Sequence, residues 1–282
     1  MGRFPTLEIR EKDSAGANFL YHTALGRACL QVLIRPGVSK ALGAFLDTGL
    51  SRFLVTPFVK TTGLDLSDYP ERKYLSFNDF FTRTVKDGRR PPDASPDALI
   101  APCDGKLTAY PVTEDALFDI KHSVYAVKDL LRSEELAKEF EGGMCLVFRL
   151  TPDDFHRYSF MDDGRILSSS MLSGVLHTVR PIAFRRYPVF SENAREYAVL
   201  ETAHFGKVIQ MEVGALFVGR IVNHPVTEFT RGQEKGKFEF GGSTVILLLQ
   251  KGAAEIDEEI LRNTQSGLES IVRLGQKIGD KA

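Results

Sequence analysis

The sequence predicts an α+β protein with amphipathic helices near the N-terminus, a barrel- or sandwich-like β-rich body, and a C-terminal helix. Apolar residues recur at helical spacing in the first 60 residues and again after residue 253. Between these parts, short apolar runs bounded by Gly, Pro or Asp are typical of strands. The chain has 282 residues, 43% hydrophobic and 26% charged, so it can form one large or two modest domains with a packed core.

Short helices are predicted at the N-terminus. Apolar spacing predicts a helix over residues 19–35, and Pro36 ends it. Ser39 could cap a second helix that continues to Phe53. Pro57 starts or interrupts a third piece. Each of these helices is too short to span a membrane.

The N-terminal segment is also basic. Residues 19–60 contain five basic residues and one acidic residue, a net charge of +4, whereas the whole chain has a net charge of −1. The basic residues are Arg27, Arg35, Lys40, Arg52 and Lys60, and the acidic residue is Asp47. A basic amphipathic helix can lie in the interface of an anionic membrane. The same apolar face could pack on the rest of the protein, and the sequence leaves both interpretations open.

A polar, proline-rich connector at residues 86–98 divides the chain into a helical, membrane-associating region (1–85) and a β-rich domain (86–282). Beyond the connector, apolar runs predict strands at 99–100, 106–112, 145–150, 165–171, 197–201 and 208–218. Helical spacing predicts a helix at 129–140 and a long amphipathic helix at 253–278. Acidic residues in the first turns of this predicted helix would stabilise it through the positive N-terminal end of the helix dipole.

Composition argues against several classes of protein. The net charge of −1 gives no reason to expect a nucleic-acid partner. The three cysteines, Cys29, Cys103 and Cys145, fit neither a disulfide framework nor a zinc site, which favours a reducing compartment. The six histidines lack zinc-ligand spacing, so no metal is expected. We see no signal-peptide pattern and no apolar run near the ~20 residues that cross a bilayer.

The segment from Phe240 to Thr244 contains two glycines directly before a serine, and an apolar run follows it. Glycine leaves a peptide carbonyl accessible because it has no Cβ. The Ser243 hydroxyl could therefore attack the Gly242 carbonyl and cut the chain between these two residues. The same residues also fit a glycine bulge that leads into a buried strand.

Three other clusters contain candidate catalytic residues. Asp104 lies between two strand-like runs and precedes a glycine, which is also common in turns. His156 follows the 145–150 run and has aromatic neighbours, which suits a general base and equally a structural histidine. His177 alternates with apolar residues, which favours a core position. A serine hydrolase is disfavoured because Ser243 lacks a Gly-x-Ser-x-Gly elbow, and phosphate-binding glycine loops are absent.

Together these clusters resemble the phosphatidylserine decarboxylases, a family of self-cleaving proenzymes that carry a pyruvoyl group. The resemblance covers most of the chain, and its motifs occur in the family's order. They are Ser76-Phe77-Asn78-Asp79-Phe80-Phe81-Thr82-Arg83 with Arg90-Pro91, Pro102-Cys103-Asp104-Gly105-Lys106, Asp154-Phe155-His156-Arg157, Glu212-Val213-Gly214-Ala215, Gly232-Gln233-Glu234-Lys235-Gly236 and Gly241-Gly242-Ser243-Thr244. Each motif is weak alone, whereas their order is specific.

The resemblance implies cleavage between Gly242 and Ser243 into a long chain (1–242) and a short chain (243–282). His156 would deprotonate Ser243, and Asp104 would orient the imidazole. Ser243 would become a covalent pyruvoyl cofactor, used without PLP or metal, which forms a Schiff base with phosphatidylserine and yields phosphatidylethanolamine and CO2. The resemblance further implies a peripheral enzyme on the cytoplasmic face of a bacterial-type cell membrane, and a homo-oligomer stays open.

One departure from the family pattern concerns the histidines. Many members have a second histidine three residues after the first, whereas this chain has Ser159 there. Either His156 serves both reactions or another histidine, for which His177 is the candidate, enters the site. Two other functions stay open. They are a pyruvoyl decarboxylase for a soluble amino acid or another serine lipid, and a lipid-binding descendant that does not cleave itself.

Overall fold

The structure, a computed structural model, describes residues 2–8, 15–120, 123–184, 186–216, 220–241 and 243–282. Its helices are α1 (Ala15–His22), α2 (Ala24–Leu33), α3 (Pro36–Leu46), α4 (Val55–Thr62), α5 (Phe77–Phe81), α6 (Val127–Leu131), α7 (Glu134–Lys138), α8 (Pro181–Phe184), α9 (Val189–Glu192) and α10 (Glu258–Gln265), with a 3₁₀ helix at Gly49–Leu54. Helices combined with mostly antiparallel sheets confirm the predicted α+β class.

Each of the six strands predicted from the apolar runs is present, and further strands occur between and after them. The strands are β1 (Thr6–Glu8), β2 (Ala98–Ile100), β3 (Gly105–Pro111), β4 (Leu117–Ile120), β5 (Ser123–Ala126), β6 (Met144–Leu150), β7 (Arg157–Ser159), β8 (Gly164–Leu172), β9 (Arg195–Thr202), β10 (Gly206–Val213), β11 (Ile221–Asn223), β12 (Glu228–Phe229), β13 (Glu234–Phe238), β14 (Ser243–Leu249), β15 (Ala254–Ile256), β16 (Leu268–Val272) and β17 (Lys277–Lys281). Strand β10 ends earlier than predicted, at Val213.

A nine-stranded sheet lies at the centre of the protein, in the order β1-β16-β3-β6-β14-β10-β9-β8-β12. Neighbouring strands in this sheet are antiparallel. Within the described residues the sheet is open, with β1 and β12 at its edges. Of the two forms expected for the body, the closed barrel is therefore not found in the described residues.

Strand β14 lies in the middle of this sheet and is buried along its whole length. Its side chains alternate between the two faces of the sheet. Ile246 and Leu248 lie in one apolar core, which we call the first core. Val245 and Leu247 lie in the second core, on the other face. A strand that is buried on both faces has a continuous apolar sequence, which explains the run after Ser243.

The N-terminal region contacts the body through several elements, among them β1 and α2. Thr6 in β1 pairs with Ser270 in β16, and Leu30 and Ile34 lie in the first core. Contacts therefore cross the predicted division between residues 85 and 86, and that division stays a prediction. In the described ranges no individual helix has both the length and the apolar composition to cross a bilayer, although α2 and α3, bent by 67°, meet these criteria as a pair.

Capping residues divide the predicted helices into shorter ones. The helix expected at 19–35 is interrupted at Thr23, whose Oγ1 accepts a hydrogen bond from Gly26 N at 2.9 Å and caps α2. Arg132 has a φ of 51°, and this left-handed residue separates α6 from α7 where a single helix was expected. Ser133 then caps α7 by accepting from Leu136 N.

The helix predicted at 253–278 is confirmed only at Glu258–Gln265, since Ala254–Ile256 form strand β15 and the chain after residue 265 is not helical. Helix α10 begins after Asp257, whose carboxylate accepts from Glu259 N at 2.9 Å, and it ends at Gln265. Gly267 follows with a φ of 72°, a left-handed conformation that ends the helix. The chain then forms β16 and β17, which pair with β3 and β2. Sheet pairing and burial therefore outweigh the helical spacing of this segment.

Candidate active site

Ser243 is the first residue of β14 and lies opposite Leu150 of β6. The residue is fully buried, and its Oγ has no hydrogen-bond partner among the described residues. Gly241, two residues before Ser243, has a φ of 129°. This backbone conformation is strained for any residue with a Cβ, so the segment that leads into β14 requires glycine there. Gly242, the predicted partner in cleavage, lies outside the described residues. The predicted nucleophile is thus held in the protein interior with a free hydroxyl oxygen.

His156 lies in the loop that joins β6 to β7, and it is also fully buried. Its Nδ1 is 2.9 Å from the Asp154 carbonyl oxygen. Because a carbonyl oxygen only accepts, Nδ1 carries the proton, and Nε2 keeps a free lone pair. In the part of the chain that the structure describes, Nε2 has no hydrogen-bond partner. Burial lowers the pKa of His156 to about 3, so its ring is neutral at physiological pH and can act as a base.

An aromatic cluster connects His156 with the segment that leads to Ser243. The ring centroid of Phe81 is 4.2 Å from that of His156 and 5.3 Å from that of Phe240. Phe77 packs on Phe240 as well, at 5.0 Å. The main chain adds a further link, since Phe238 N donates to the His156 carbonyl oxygen at 2.9 Å. The structure thus brings His156 and the chain before Ser243 into one water-excluding cluster.

Asp154 fixes the conformation of the His156 loop. Its carboxylate accepts from Thr151 N at 2.6 Å and from Thr151 Oγ1 at 2.9 Å. Lys106 Nζ of β3 lies 2.6 Å from the same carboxylate and 2.5 Å from Thr151 Oγ1. Lys106 is buried, so this is an ion pair in the protein interior. Thr151 directly follows Leu150, the residue paired with Ser243, so the ion pair lies beside the strands that hold the nucleophile.

Asp104 lies in the turn before β3. Its carboxylate accepts hydrogen bonds from residues other than His156. Arg90 donates from Nε and Nη2, each at 3.0 Å, and Leu274 N donates at 2.8 Å. Arg90 Nη1 also donates to Asp68 at 2.7 Å. Asp104 therefore joins the 86–98 connector to the C-terminal segment. The predicted contact between Asp104 and the His156 imidazole is absent from the hydrogen bonds of the described residues.

His177 occupies a different environment from His156. Its ring stacks on Tyr187 with centroids 4.0 Å apart, and its Nδ1 is 3.5 Å from the Tyr21 hydroxyl. Its main chain is held by Asn193, which accepts from His177 N at 2.9 Å and donates to His177 O at 2.8 Å. Tyr21 belongs to the first core, whereas Ser243 shares its face of β14 with second-core residues. The described contacts do not bring His177 to Ser243.

Within the described residues, four of the nine buried side-chain polar atoms without a hydrogen-bond partner lie on β14 and its neighbour β10. These four are Ser243 Oγ, Thr244 Oγ1, Gln210 Oε1 and Glu212 Oε1, and His156 Nε2 is one of the other five. Glu212 is also ion-paired to the buried Lys235, at 2.6 Å, and burial raises the pKa of Glu212. Native proteins leave few buried polar atoms unpaired, so the free Oγ of Ser243 makes this residue a candidate for chemistry.

Sequence reasoning missed Lys106, Asp154 and Phe81 as residues of the site. Each of them lies in a motif that carries the family resemblance, but their roles depend on contacts between distant parts of the chain. Lys106 and Asp154 are 48 residues apart. The available signals were a lysine in an otherwise apolar strand and an acidic residue two positions before a histidine.

Comparison with known proteins shows the family of the chain. The family model for phosphatidylserine decarboxylase matches residues 77–280. A phosphatidylserine decarboxylase proenzyme 2 of Clostridium acetobutylicum is 44% identical over 263 residues, 93% of this chain and 90% of that protein. Proenzymes of Clostridium botulinum (39% identity, 94% of this chain and 92% of that protein) and Ruminiclostridium cellulolyticum (36%, 93% and 90%) are also similar. The chain therefore belongs to the phosphatidylserine decarboxylase family, which confirms the resemblance that its motifs predicted.

Proposed function

We propose that this protein cuts itself between Gly242 and Ser243 and then decarboxylates phosphatidylserine to phosphatidylethanolamine. The observation that carries the proposal is the pair of buried, unpartnered atoms Ser243 Oγ and His156 Nε2. Leaving such an atom unpaired costs roughly 1–3 kcal/mol, which a purely structural site has no reason to retain. The relatives' names, phosphatidylserine decarboxylase proenzymes, support both the substrate and the processing.

Self-cleavage begins with proton transfer from Ser243 Oγ to His156 Nε2. Oγ bonds to the carbonyl carbon of Gly242, the C–N bond breaks, and the nitrogen takes up the proton, which leaves an ester. Loss of the Ser243 α-proton then breaks the Cβ–Oγ bond and releases the carboxylate of Gly242 as the end of the long chain. Water adds to the imine form of residue 243, and ammonia leaves. The ketone of a pyruvoyl group remains at the start of the short chain.

The decarboxylation uses this group together with the side chains around it. A pyruvoyl group at position 243 supplies a ketone that binds the substrate amine and takes up the electron pair left when CO2 departs. His156 Nε2 lies in the same cluster and can return a proton to the substrate carbon. Phe81 and Phe240 exclude water from this region, which protects the electron pair from premature protonation.

The surface of the N-terminal helices supports a lipid substrate. Large apolar side chains are exposed there, with Leu50 and Phe53 at 77% and 69% exposure. We call this surface the apolar N-terminal face; it comprises Phe19, Leu25, Val32, Phe45, Leu50 and Phe53. Exposed apolar patches mark interaction sites, and basic residues lie among these side chains. The face thus suits peripheral docking on an anionic bilayer, which we place at the cytoplasmic side of the cell membrane.

A cavity with a volume of about 320 Å³ lies between α3 and the chain at Phe240, before Ser243. Its lining includes Ser39, Lys40, Asp47, Asn78, Arg220, Glu239 and Phe240. Arg220 is paired with Glu239 at 3.3 Å and with Asp47 at 3.9 Å, so Lys40 supplies the positive charge for the phosphate of a serine phospholipid. A headgroup that enters from the bilayer would reach Phe240, which packs against Phe81 beside His156.

Vesicle binding tests the membrane part of the proposal. We expect binding to strengthen with the anionic lipid fraction and to weaken with salt, since the attraction is electrostatic. Replacing Leu50 and Phe53 by Ser should weaken binding at every salt concentration, whereas replacing Arg27, Arg35 and Lys40 by Gln should remove most of the salt dependence. Co-sedimentation with vesicles measures both. Binding that neither set of changes alters would contradict docking through this face.

The activity test compares substrates. Purified protein is incubated with phosphatidylserine vesicles or with free serine, and the lipid product and CO2 are measured. We expect CO2 from the lipid alone, and none from Ser243→Ala, which cannot form the pyruvoyl group. Activity on free serine, or on another serine lipid in preference to phosphatidylserine, would replace the proposed substrate. Absence of CO2 from every substrate would favour a lipid-binding protein.

A further inference from the structure

We infer that Lys106 is a positioning residue for His156, acting through Asp154, in the self-cleavage proposed above on which this inference rests. The sequence assigned the orienting role to Asp104. In the structure the Asp104 carboxylate accepts hydrogen bonds from Arg90 and from Leu274 N. The ring nitrogen Nδ1 of His156 donates to a main-chain carbonyl instead. The orienting contact has thus moved from a carboxylate to the Asp154 main chain.

Asp154 connects Lys106 with His156 within one residue. Its side chain takes the ammonium of Lys106 at 2.6 Å, and its carbonyl oxygen takes the Nδ1 proton of His156 at 2.9 Å. Because the side chain of Asp154 is held in place, the main chain of the same residue has little conformational freedom. Lys106 therefore fixes the carbonyl that selects the tautomer of His156 with a free Nε2.

The charge of Lys106 acts on the same histidine. The charged groups that face His156 are Arg83 after α5, Lys106 on β3, and Asp153 and Asp154 on its own loop. Arg83 and Lys106 lower the pKa of His156, whereas Asp153 raises it. Lys106→Met removes one of the two cations that lower the pKa of His156 and leaves Asp153, which raises it. The imidazolium is then favoured, so the His156 base would be lost at a higher pH.

The test is the pH profile of self-cleavage. Precursor made by cell-free translation is transferred to buffers from about pH 2 to about pH 8, a range that includes the acid limb set by His156, and the cut fraction is followed by gel and intact mass. In Lys106→Met we expect the acid limb of the cleavage rate to move up by about one pH unit or more. Lys106→Arg, which restores the charge, should return the limb to its original position. A change in the fold alone would lower the rate at every pH without moving the limb.

Lys235→Met is the matched control because it removes a buried lysine from an ion pair of the same 2.6 Å length. Its acid limb should not move. An equal shift in Lys235→Met, or an unchanged limb in Lys106→Met, overturns the role of Lys106. If Lys106→Met is uncut at every pH, NMR titration of His156 in the uncut Ser243→Ala background decides. A raised pKa in the double variant supports the inference, and an unchanged one contradicts it. A wild-type chain that stays uncut refutes the proposed function itself.

Discussion

His156 and His177 are both buried, and burial lowers the pKa of each, to about 3 for His156 and about 4 for His177. Their ring contacts differ. His156 donates from Nδ1 to a carbonyl and keeps a free Nε2, beside aromatic rings that reach toward Ser243. His177 stacks on Tyr187 in the first core, with Tyr21 near its Nδ1. The comparison teaches that burial makes an imidazole neutral, whereas its neighbours decide whether it can act as a base.

The largest expected effect is that of removing the base. His156→Ala should slow self-cleavage by about 10²- to 10⁴-fold, the usual contribution of a general base. Intact mass after expression measures it as an uncut chain. Near-normal cutting in this variant, with circular dichroism like that of the wild type, would show that another residue takes the Ser243 proton and would reverse the comparison.

A second prediction concerns Asp104, which the sequence placed beside His156 and the structure pairs with Arg90. Both side chains are largely buried, so breaking the pair should cost about 3–5 kcal/mol of unfolding free energy. Asp104→Ala and Arg90→Met, each in the uncut Ser243→Ala background, should lose similar amounts in urea unfolding. In chains that keep Ser243, neither substitution should move the acid limb of the cleavage rate. A limb that moves in Asp104→Asn would restore Asp104 as the group that orients His156.

A smaller effect is expected on the pH dependence of the unfolding free energy, to which both histidines contribute. An unfolded histidine has a pKa near 6.5, above the folded values of both rings, so the unfolded state binds more protons as the pH falls. Stability is therefore fully present above pH ~6.5 and decreases below it, by at most about 1.4 kcal/mol per pH unit for each ring. In the Ser243→Ala background, His177→Ala should remove one such contribution between pH ~6.5 and ~4. Urea unfolding at several pH values measures the difference; an unchanged slope would show that His177 is not held neutral.

The smallest effect should be that of His177→Ala on cleavage. We expect the rate to stay within about threefold of wild type, because the ring contacts Tyr187 and Tyr21 and not the Ser243 segment. The time course of cutting measures this. Loss of cutting in a folded His177→Ala protein would support the alternative that His177 replaces the histidine missing at Ser159. Ser159 itself is buried, and its main-chain N donates to Pro102 O.

Local sequence signals predicted much of the fold and part of the site. The glycines before Ser243 and the apolar run after it predicted β14, because turn geometry and two-sided burial leave a direct pattern in sequence. The helix predicted at 253–278 was wrong after residue 265 because its apolar residues there are buried in β16 and β17, whose partners lie far away in the chain. The ion pair of Lys106 and Asp154 could not be predicted for the same reason, since it depends on how β3 and β6 pair.

The intact mass of the purified wild-type protein, compared with that of Ser243→Ala, tests the central claim most directly. The claim is that the buried Ser243 and His156 cut the chain. The account predicts two wild-type chains, residues 1–242 and 243–282, the shorter one lacking a free N-terminal amine, and a single full-length Ser243→Ala chain. A single full-length wild-type chain, or equal cutting in Ser243→Ala, would contradict it.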